Sequence, residues 1–274
     1  MIKLYYMKGG NNFGDILSKD IVAKVSGQEV VHEKAYKADM ISTGSLLGKV
    51  QRTKLRRAFF RMFKPTYVWG TGIIQDGAKV SENNLIVCAL RGELSYGRFD
   101  LKSNIPLGDP ALLCSKLFPY PKEKAVGKYL VTPHLHDKEC ADWVGKIEEL
   151  LGEKVEVCDL SQDVHFILKK IASAKGVITS AMHPLIVAHS YQTPVVWVDV
   201  GDVVILGGNY KFKDYFSVLD VSFQKISKHD LLSGIISKKD VDDQFESSRV
   251  GMERLRFLQD GLLRSFPPSL KVSV

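Results

Sequence analysis

The sequence contains no apolar run near the roughly 18 to 20 residues that a membrane-spanning helix needs. Residues Met1 to Met7 lack the basic head and long apolar stretch of a signal peptide, so the expectation is a chain that is not sent through a membrane. Cysteine is scarce. Cys88, Cys114, Cys140 and Cys158 lie far apart and form no CxxC pair, which excludes the spacing of a zinc ribbon or a disulfide scaffold. They read as reduced core thiols of a cytosolic protein. Neither GxxxxGKS nor GxGxxG occurs, which argues against a Walker loop and a dinucleotide fingerprint. HExxH is also missing, so the alternating His134 and His136 have no evident third ligand and no metal is expected. Repeats and low-complexity tracts are absent.

What remains is an ordinary globular composition. Of 274 residues, 45% are hydrophobic and 25% charged, which excludes a fibrous or unfolded chain. The length suits two modest domains or one large α/β domain. The net charge of +7 is concentrated: seven cations and no acid fall between Lys49 and Lys64, so the rest of the chain is neutral. On a helical projection Lys54, Arg57, Arg61 and Lys64 share one face, while Leu55, Phe59, Met62 and Phe63 share the other. Such a helix suits an anionic membrane interface, with Arg52, Arg56, Arg57, Phe59, Phe60, Arg61 and Phe63 as the expected contacts. A solvated basic helix packed on its own protein is the alternative. No second basic stripe or aromatic platform accompanies it, so nucleic acid is not an expected partner.

Strands and helices alternate along the chain. Strands are expected over Ile2–Met7, Asp39–Ser42, Tyr67–Trp69 and Leu85–Leu90, with a helix over Ile16–Val25. Pro119-Tyr120-Pro121 is a breaker cluster and the expected lobe boundary. Beyond it the alternation restarts, with strands near Lys128–Thr132, Lys154–Cys158, Gly176–Thr179 and Pro194–Val200. Helices are expected over Glu139–Leu151, after an N-cap at Ser161, from His183-Pro184, and over Asp240–Leu263. The expected architecture is α/β, with a first Rossmann-like lobe over residues 1–121 and a second over 122–274 that includes the C-terminal helix. In such folds ligands sit at the carboxyl ends of the strands.

The loops after strands therefore carry the candidate chemistry. Gly9 to Asp15 offers glycine backbone before a helix, able to cradle an anion or sugar, and Asp15 has the reach of a general base. A turn with an Asp cap is the plainer reading of that loop. Gly44-Ser45 and Trp69-Gly70-Thr71-Gly72 allow close backbone approach at strand ends. Arg91 is a fork suited to phosphate or carboxylate, unless it pairs with Glu93. Ser180-Ala181-Met182-His183-Pro184 puts an imidazole at a helix start, where it could grip phosphate or deliver a proton; a packed histidine in a capped turn is the alternative. His189 reads as packing.

Taken in order, these residues resemble the polysaccharide pyruvyl transferase family from about Gly10 to Ser217. The landmarks are Asn12-Phe13-Gly14-Asp15, Gly44-Ser45, Trp69-Gly70-Thr71-Gly72, Arg91-Gly92, Gly108-Asp109-Pro110-Ala111, Pro133-His134, Ser180 through His183, and Lys211-Phe212-Lys213-Asp214-Tyr215. The resemblance implies a GT-B-like pair of lobes, the first on the acceptor side and the second on the donor side. It also implies transfer of pyruvate from phosphoenolpyruvate onto a sugar of a bacterial surface polysaccharide unit, as a ketal, with no cofactor beyond that co-substrate. His183, Asp15 and Arg91 are then the catalytic candidates. Asn12, Gly14, Gly44, Ser45, Gly70, Gly72, His134, Ser180, Met182 and Lys211 are the substrate-binding ones. Many members carry Arg-Leu-His where this chain has Ala181-Met182-His183, which shifts the expected anion clamp to Arg91, the helix start at His183, Lys211 and His134. A polyprenyl-diphosphate-linked acceptor implies a cytoplasmic protein held on the inner face of the membrane. A GT-B glycosyltransferase using a nucleotide sugar, and a non-catalytic glycan-binding protein, are the rival readings.

Overall fold

The computed structural model describes residues 1–7, 13–62, 64–121, 128–137, 140–201, 205–222 and 224–272. The first lobe is a five-stranded parallel sheet of β1 (Ile2–Tyr5), β2 (Val30–His32), β3 (Met40–Ser42), β4 (Thr66–Trp69) and β5 (Leu85–Ala89), in the order β2-β1-β3-β4-β5. Its helices are α1 (Phe13–Ser26), α2 (Leu47–Arg52), α3 (Lys54–Phe60), α4 (Glu93–Tyr96) and α5 (Cys114–Leu117). The second lobe repeats the plan with β6 (Tyr129–Thr132), β7 (Glu156–Val157), β8 (Gly176–Thr179), β9 (Val195–Asp199) and β10 (Ile226–Ser227), in the order β10-β9-β8-β6-β7. Its segment supplies α6 (Cys140–Leu151), α7 (Val164–Ser173), α8 (Met182–Tyr191), α9 (Gly208–Phe216), α10 (Lys228–Leu232), α11 (Lys238–Ser247) and α12 (Met252–Ser265). Read from its own first strand, each sheet has the order 2-1-3-4-5, a doubly wound arrangement with its switch point between the first and third strands.

The central strands are apolar without alternation because both faces are covered. Every residue of β8 is buried, as are four of the five in β9. Helix α8 is likewise covered on all sides, with nine of its ten residues buried. It packs on β8 and β9 on one side and on α5 and the 3-10 turn Pro110–Leu113 of the first lobe on the other. Ser190 Oγ donates to the Leu112 carbonyl at 2.7 Å and accepts from the Ser115 amide at 2.9 Å, stitching the lobes at this contact. His189, on the same helix, is 2% exposed and shares a hydrogen bond of 2.8 Å with the Tyr215 hydroxyl. One hydrophobic core consequently runs through both lobes, from Ile2 to Phe266.

Three local expectations are corrected. The helix expected over Asp240–Leu263 is two helices, α11 and α12, separated around Gly251. The cap of α7 is Asp163, which accepts from the Phe166 amide at 2.9 Å; Ser161 lies upstream of it. Helix α12, expected with the second lobe, crosses back to the first. Trp69 Nε1 donates to the Leu262 carbonyl at 3.0 Å, and the Trp69 and Phe266 rings meet edge to face at 4.9 Å. The chain then continues along the first lobe, where the Val272 amide bonds the Ser26 carbonyl.

The basic segment also departs from expectation, because it is not one helix and two of the four cations on its expected basic face, Arg57 and Arg61, are turned into the protein while Lys54 and Lys64 stay exposed. It breaks at Thr53, between α2 and α3. Arg57 is fully buried, donating from Nη1 to the Val50 carbonyl and from Nη2 to the Asn83 carbonyl. Arg61 pairs with Asp39 at 2.6 Å and also donates to the Lys64 and Pro65 carbonyls. Arg57 and Arg61 are therefore removed from the expected membrane contacts, while Arg52, Arg56, Phe59 and Phe60 remain exposed. Phe63 lies outside the described residues. Among those residues, no helix is long and apolar enough to cross a membrane.

Candidate active site

The carboxyl ends of the two sheets face a cleft of about 440 Å³, within the range of small-molecule sites. Both switch points open onto it. The loops after β1 and β3 contribute Gly14, Asp15, Gly44 and Ser45, and those after β6 and β8 contribute His134, His136, Met182 and His183. Lys211, on α9, completes the polar lining. Chain topology thus gathers side chains separated by nearly 200 positions, because parallel strands deliver every such loop to the same end.

The polar groups divide by lobe. Asp15, at the start of α1, accepts from the Met7 amide at 3.1 Å, which anchors the start of the loop after β1. Burial pushes its carboxyl up to about 6, outweighing that amide bond. Across the cleft, burial first and the Lys211 charge second lower His183 to about 3 and His134 to about 4. Both imidazoles are neutral at neutral pH. His183 Nε2 is shielded from solvent and has no hydrogen-bond partner among the described residues. His134 Nδ1 accepts from the His136 amide at 3.2 Å, and the two rings meet nearly edge to face. Among the described residues no group of three or more His, Cys, Asp or Glu is placed to hold a metal ion.

Helix α8 begins at this wall. Its N-cap residue Ala181 provides no side-chain hydrogen bond to the first turn, so the positive end of the helix dipole is not capped by that residue. His183 fits only because Gly14 faces it. A Cβ on Gly14 would lie 2.0 Å from His183 Nδ1, inside any allowed contact. The glycine that looked like a loop residue in the sequence is where α1 of the first lobe admits the imidazole of the second.

Several expected binding residues stand behind the wall. Arg91 is wholly buried and lies outside the cleft lining. Its Nε donates to Asp214 Oδ2 at 2.8 Å, Nη1 to Ser45 Oγ at 2.6 Å and Nη2 to the Ile73 carbonyl at 2.7 Å. The same Asp214 carboxylate accepts from the Ser95 amide and hydroxyl. Arg91 is therefore a brace that ties α9 to the first lobe and holds Ser45 at the cleft edge, rather than an open fork; its partner is Asp214 and not Glu93. Gly70 and Gly72 are also structural. A side chain on Gly70 would strike Pro110, and one on Gly72 would strike the Arg91 guanidinium. Ser180 is buried, donating to Asp137 and accepting from the His134 amide at 2.9 Å, so it positions His134 without lining the cleft. Asn12 lies outside the described residues. Asp109 caps the turn Pro110–Leu113, accepting from the Ala111 amide.

A sequence profile of the polysaccharide pyruvyl transferase family matches residues 3–202. The chain belongs to the polysaccharide pyruvyl transferase family. Protein L143 of Acanthamoeba polyphaga mimivirus is 27% identical over 179 residues, covering 61% of this chain. The match spans 59% of that relative's length, less than two thirds. Among solved structures, MnaA of S. aureus in complex with UDP superposes with a TM-score of 0.52 at 13% identity, covering 96% of this chain and 91% of its own. That likeness is one of fold, and it agrees with the two Rossmann-like lobes in a GT-B-like arrangement. The ADP-heptose LPS heptosyltransferase II of E. coli covers 96% of this chain and 99% of its own at 10% identity and a TM-score of 0.36.

Within this family member the landmarks separate into two kinds. Phe13-Gly14-Asp15, Gly44-Ser45, His134, Met182-His183 and Lys211 line the cleft. Arg91, Asp109, Asp214 and the glycines at 70, 72 and 92 hold the wall. Sequence reasoning weighed His136 only as a metal ligand beside His134, and missed the apolar lining, including Leu160, Ile205 and Leu206. The signal was available: Leu160 follows β7 and Ile205 follows β9, so asking the same question of every strand end would have found them.

Proposed function

We propose that this chain transfers the pyruvyl group of phosphoenolpyruvate onto two hydroxyls of a sugar, a hexose in a lipid-linked surface polysaccharide unit, forming a ketal and releasing phosphate. The observation that carries the reading is the division of the cleft. Among the described residues, one wall offers a lysine, three imidazoles and a helix start with no side-chain cap; the other offers one desolvated carboxylate. The first set matches a small polyanion, because helix amides and a cation compensate phosphate and carboxylate charge. The second matches a hydroxyl nucleophile, since a carboxylate held near 6 is ionised at neutral pH yet basic enough to take a proton.

The donor then lies against Lys211, His134 and the start of α8, with His183 Nε2 facing its phosphate. Bound anion raises the imidazole's proton affinity, opposing the depression that burial and Lys211 impose. Protonation of the enol CH2 makes a methyl group and leaves an oxocarbenium-like carbon. One sugar hydroxyl adds to that carbon as Asp15 takes its proton. The C–O bond to phosphate breaks, and the second hydroxyl closes the ketal. Of the two hydroxyl protons released, one balances the new methyl group and the other leaves with phosphate. Arg91 acts through Ser45 and α9 and touches no substrate. The lipid-linked acceptor puts the enzyme at the inner face of the cytoplasmic membrane.

A thermal-shift comparison of phosphoenolpyruvate with UDP tests the donor, since a ligand that binds only the folded protein raises its melting temperature. Stabilisation by phosphoenolpyruvate, followed by phosphate release that needs a sugar acceptor, is expected. Stabilisation by UDP alone would transfer the site to the glycosyltransferase reading, and persistent inactivity across acceptors to the glycan-binding one.

A further inference from the structure

We propose that the outward face of α3 is a docking surface for an anionic lipid bilayer. Leu55 and Phe59 are 79% and 78% exposed, and Met62 and Phe60 are also exposed. A helix packed on its own protein in water would show the opposite arrangement, apolar side in and cations out. Here Arg57 and Arg61 point inward onto backbone carbonyls and Asp39, and the apolar side chains face solvent. The arrangement is held on the inner side by those arginines and continued laterally by ring contacts, with Phe60 5.2 Å from both Phe59 and Tyr36.

The charge around the patch chooses its occupant. Arg52, Lys54, Arg56 and Lys64 are exposed beside it, and Lys37 lies 4.9 Å from the Phe60 ring. No Asp or Glu occurs between residues 40 and 75. An apolar strip flanked by these cations, with the neighbouring Asp39 carboxylate taken up by Arg61, matches the boundary between acyl chains and anionic headgroups, where apolar residues insert and lysines and arginines stay at the surface. A second copy of this chain would bring the same cations against themselves, so self-association is disfavoured. Helix α2 starts beside Leu46 at the cleft, and α3 leads to the opposite end of the sheet at β4. The patch is thus at most about 20 Å of helical path from the cleft. This inference does not depend on the pyruvyl transfer reading, because its test measures no turnover.

The full chain is sedimented with vesicles of phosphatidylcholine alone and of phosphatidylcholine mixed with phosphatidylglycerol. Binding to the mixed vesicles only, weakened by added salt, is expected. The double variant Leu55→Ser with Phe59→Ser should lose binding at least roughly tenfold, and Arg52→Glu with Arg56→Glu at least as much. Each should keep the parent melting temperature, because these side chains are exposed. No binding to mixed vesicles, binding that the variants leave unchanged, or a dimer in solution that the apolar variant dissociates would each overturn the proposal.

Discussion

The two lobes share one strand order yet contribute opposite chemistry to the cleft. The first brings glycine backbone and one carboxylate, and its arginine is spent behind the wall on Asp214, Ser45 and Ile73. The second brings the imidazoles, Lys211 and the start of α8. A repeated topology therefore specifies where a site forms but not what it does, because the order of strands sets which loops meet while side chains set the charge they present. Exposure tells the cations apart. The Arg91 guanidinium is wholly buried behind the wall and paired with a carboxylate, whereas Lys211 lines the cavity beside the depressed histidines, where an incoming anion would lie.

Breaking that contrast on the first-lobe side should have the largest effect. Asp15→Asn is expected to reduce acceptor-dependent phosphate release by about 10²- to 10⁴-fold, measured at saturating donor. In the parent protein the rate should rise as pH passes through 6, where Asp15 ionises. A flat profile, or near-normal turnover in the variant, would remove Asp15 from the base role.

Arg91→Ala is expected to cost about 3 to 5 kcal/mol of stability, since it leaves Asp214 charged and buried without its partner. Denaturant unfolding measures this. A variant of parental stability that had lost only phosphoenolpyruvate binding would restore Arg91 to the ligand clamp. Gly14→Ala is expected to cost about 1 to 3 kcal/mol, because its methyl group displaces the His183 ring. It should also weaken donor binding, which separates a packing role at the cleft from one elsewhere.

The smallest effect has a defined sign. The Asp15 carboxyl is raised from 3.8 to about 6, so the folded state holds its proton more tightly than the unfolded chain does. The stabilisation is complete below pH 3.8 and is lost as pH rises through 6. Asp15→Asn should therefore stabilise the protein by about 1 to 2 kcal/mol above pH 6, and change little below pH 4. His134 and His183 act in the other direction. Their affinities are depressed below 6.5, so stability present at neutral pH falls as pH drops from 6.5 toward 3. Melting temperatures across pH, in parent and variant, check both signs.

Much of this was legible from residue order. Long apolar strands such as Val195–Asp199 announce a buried parallel sheet, and the landmark order from Asn12 to Lys211 points to the family. The turn at His183 was visible because a strand, a small residue and Pro184 coincide there. The placement of Arg91 was not, because a strand-end arginine looks the same in sequence whether it faces a ligand or Asp214, 123 positions away. The same limit applied to Arg57 and Arg61. Helical projection correctly separated cations from apolar residues, but it carries no information on which face meets the protein. Helix α12 was misassigned for a related reason: proximity in sequence to the second lobe says nothing about a helix whose partners are Trp69 and Gly108.

By itself the sequence determined the α/β class, the two-sheet plan and the loops that meet at a cleft, since local patterning and strand-to-helix alternation are properties of short stretches. Only the tertiary structure decided which of the charged groups on those loops stay open to a ligand. That choice depends on which distant partners come within hydrogen-bonding distance, and burial makes each such pairing exclusive.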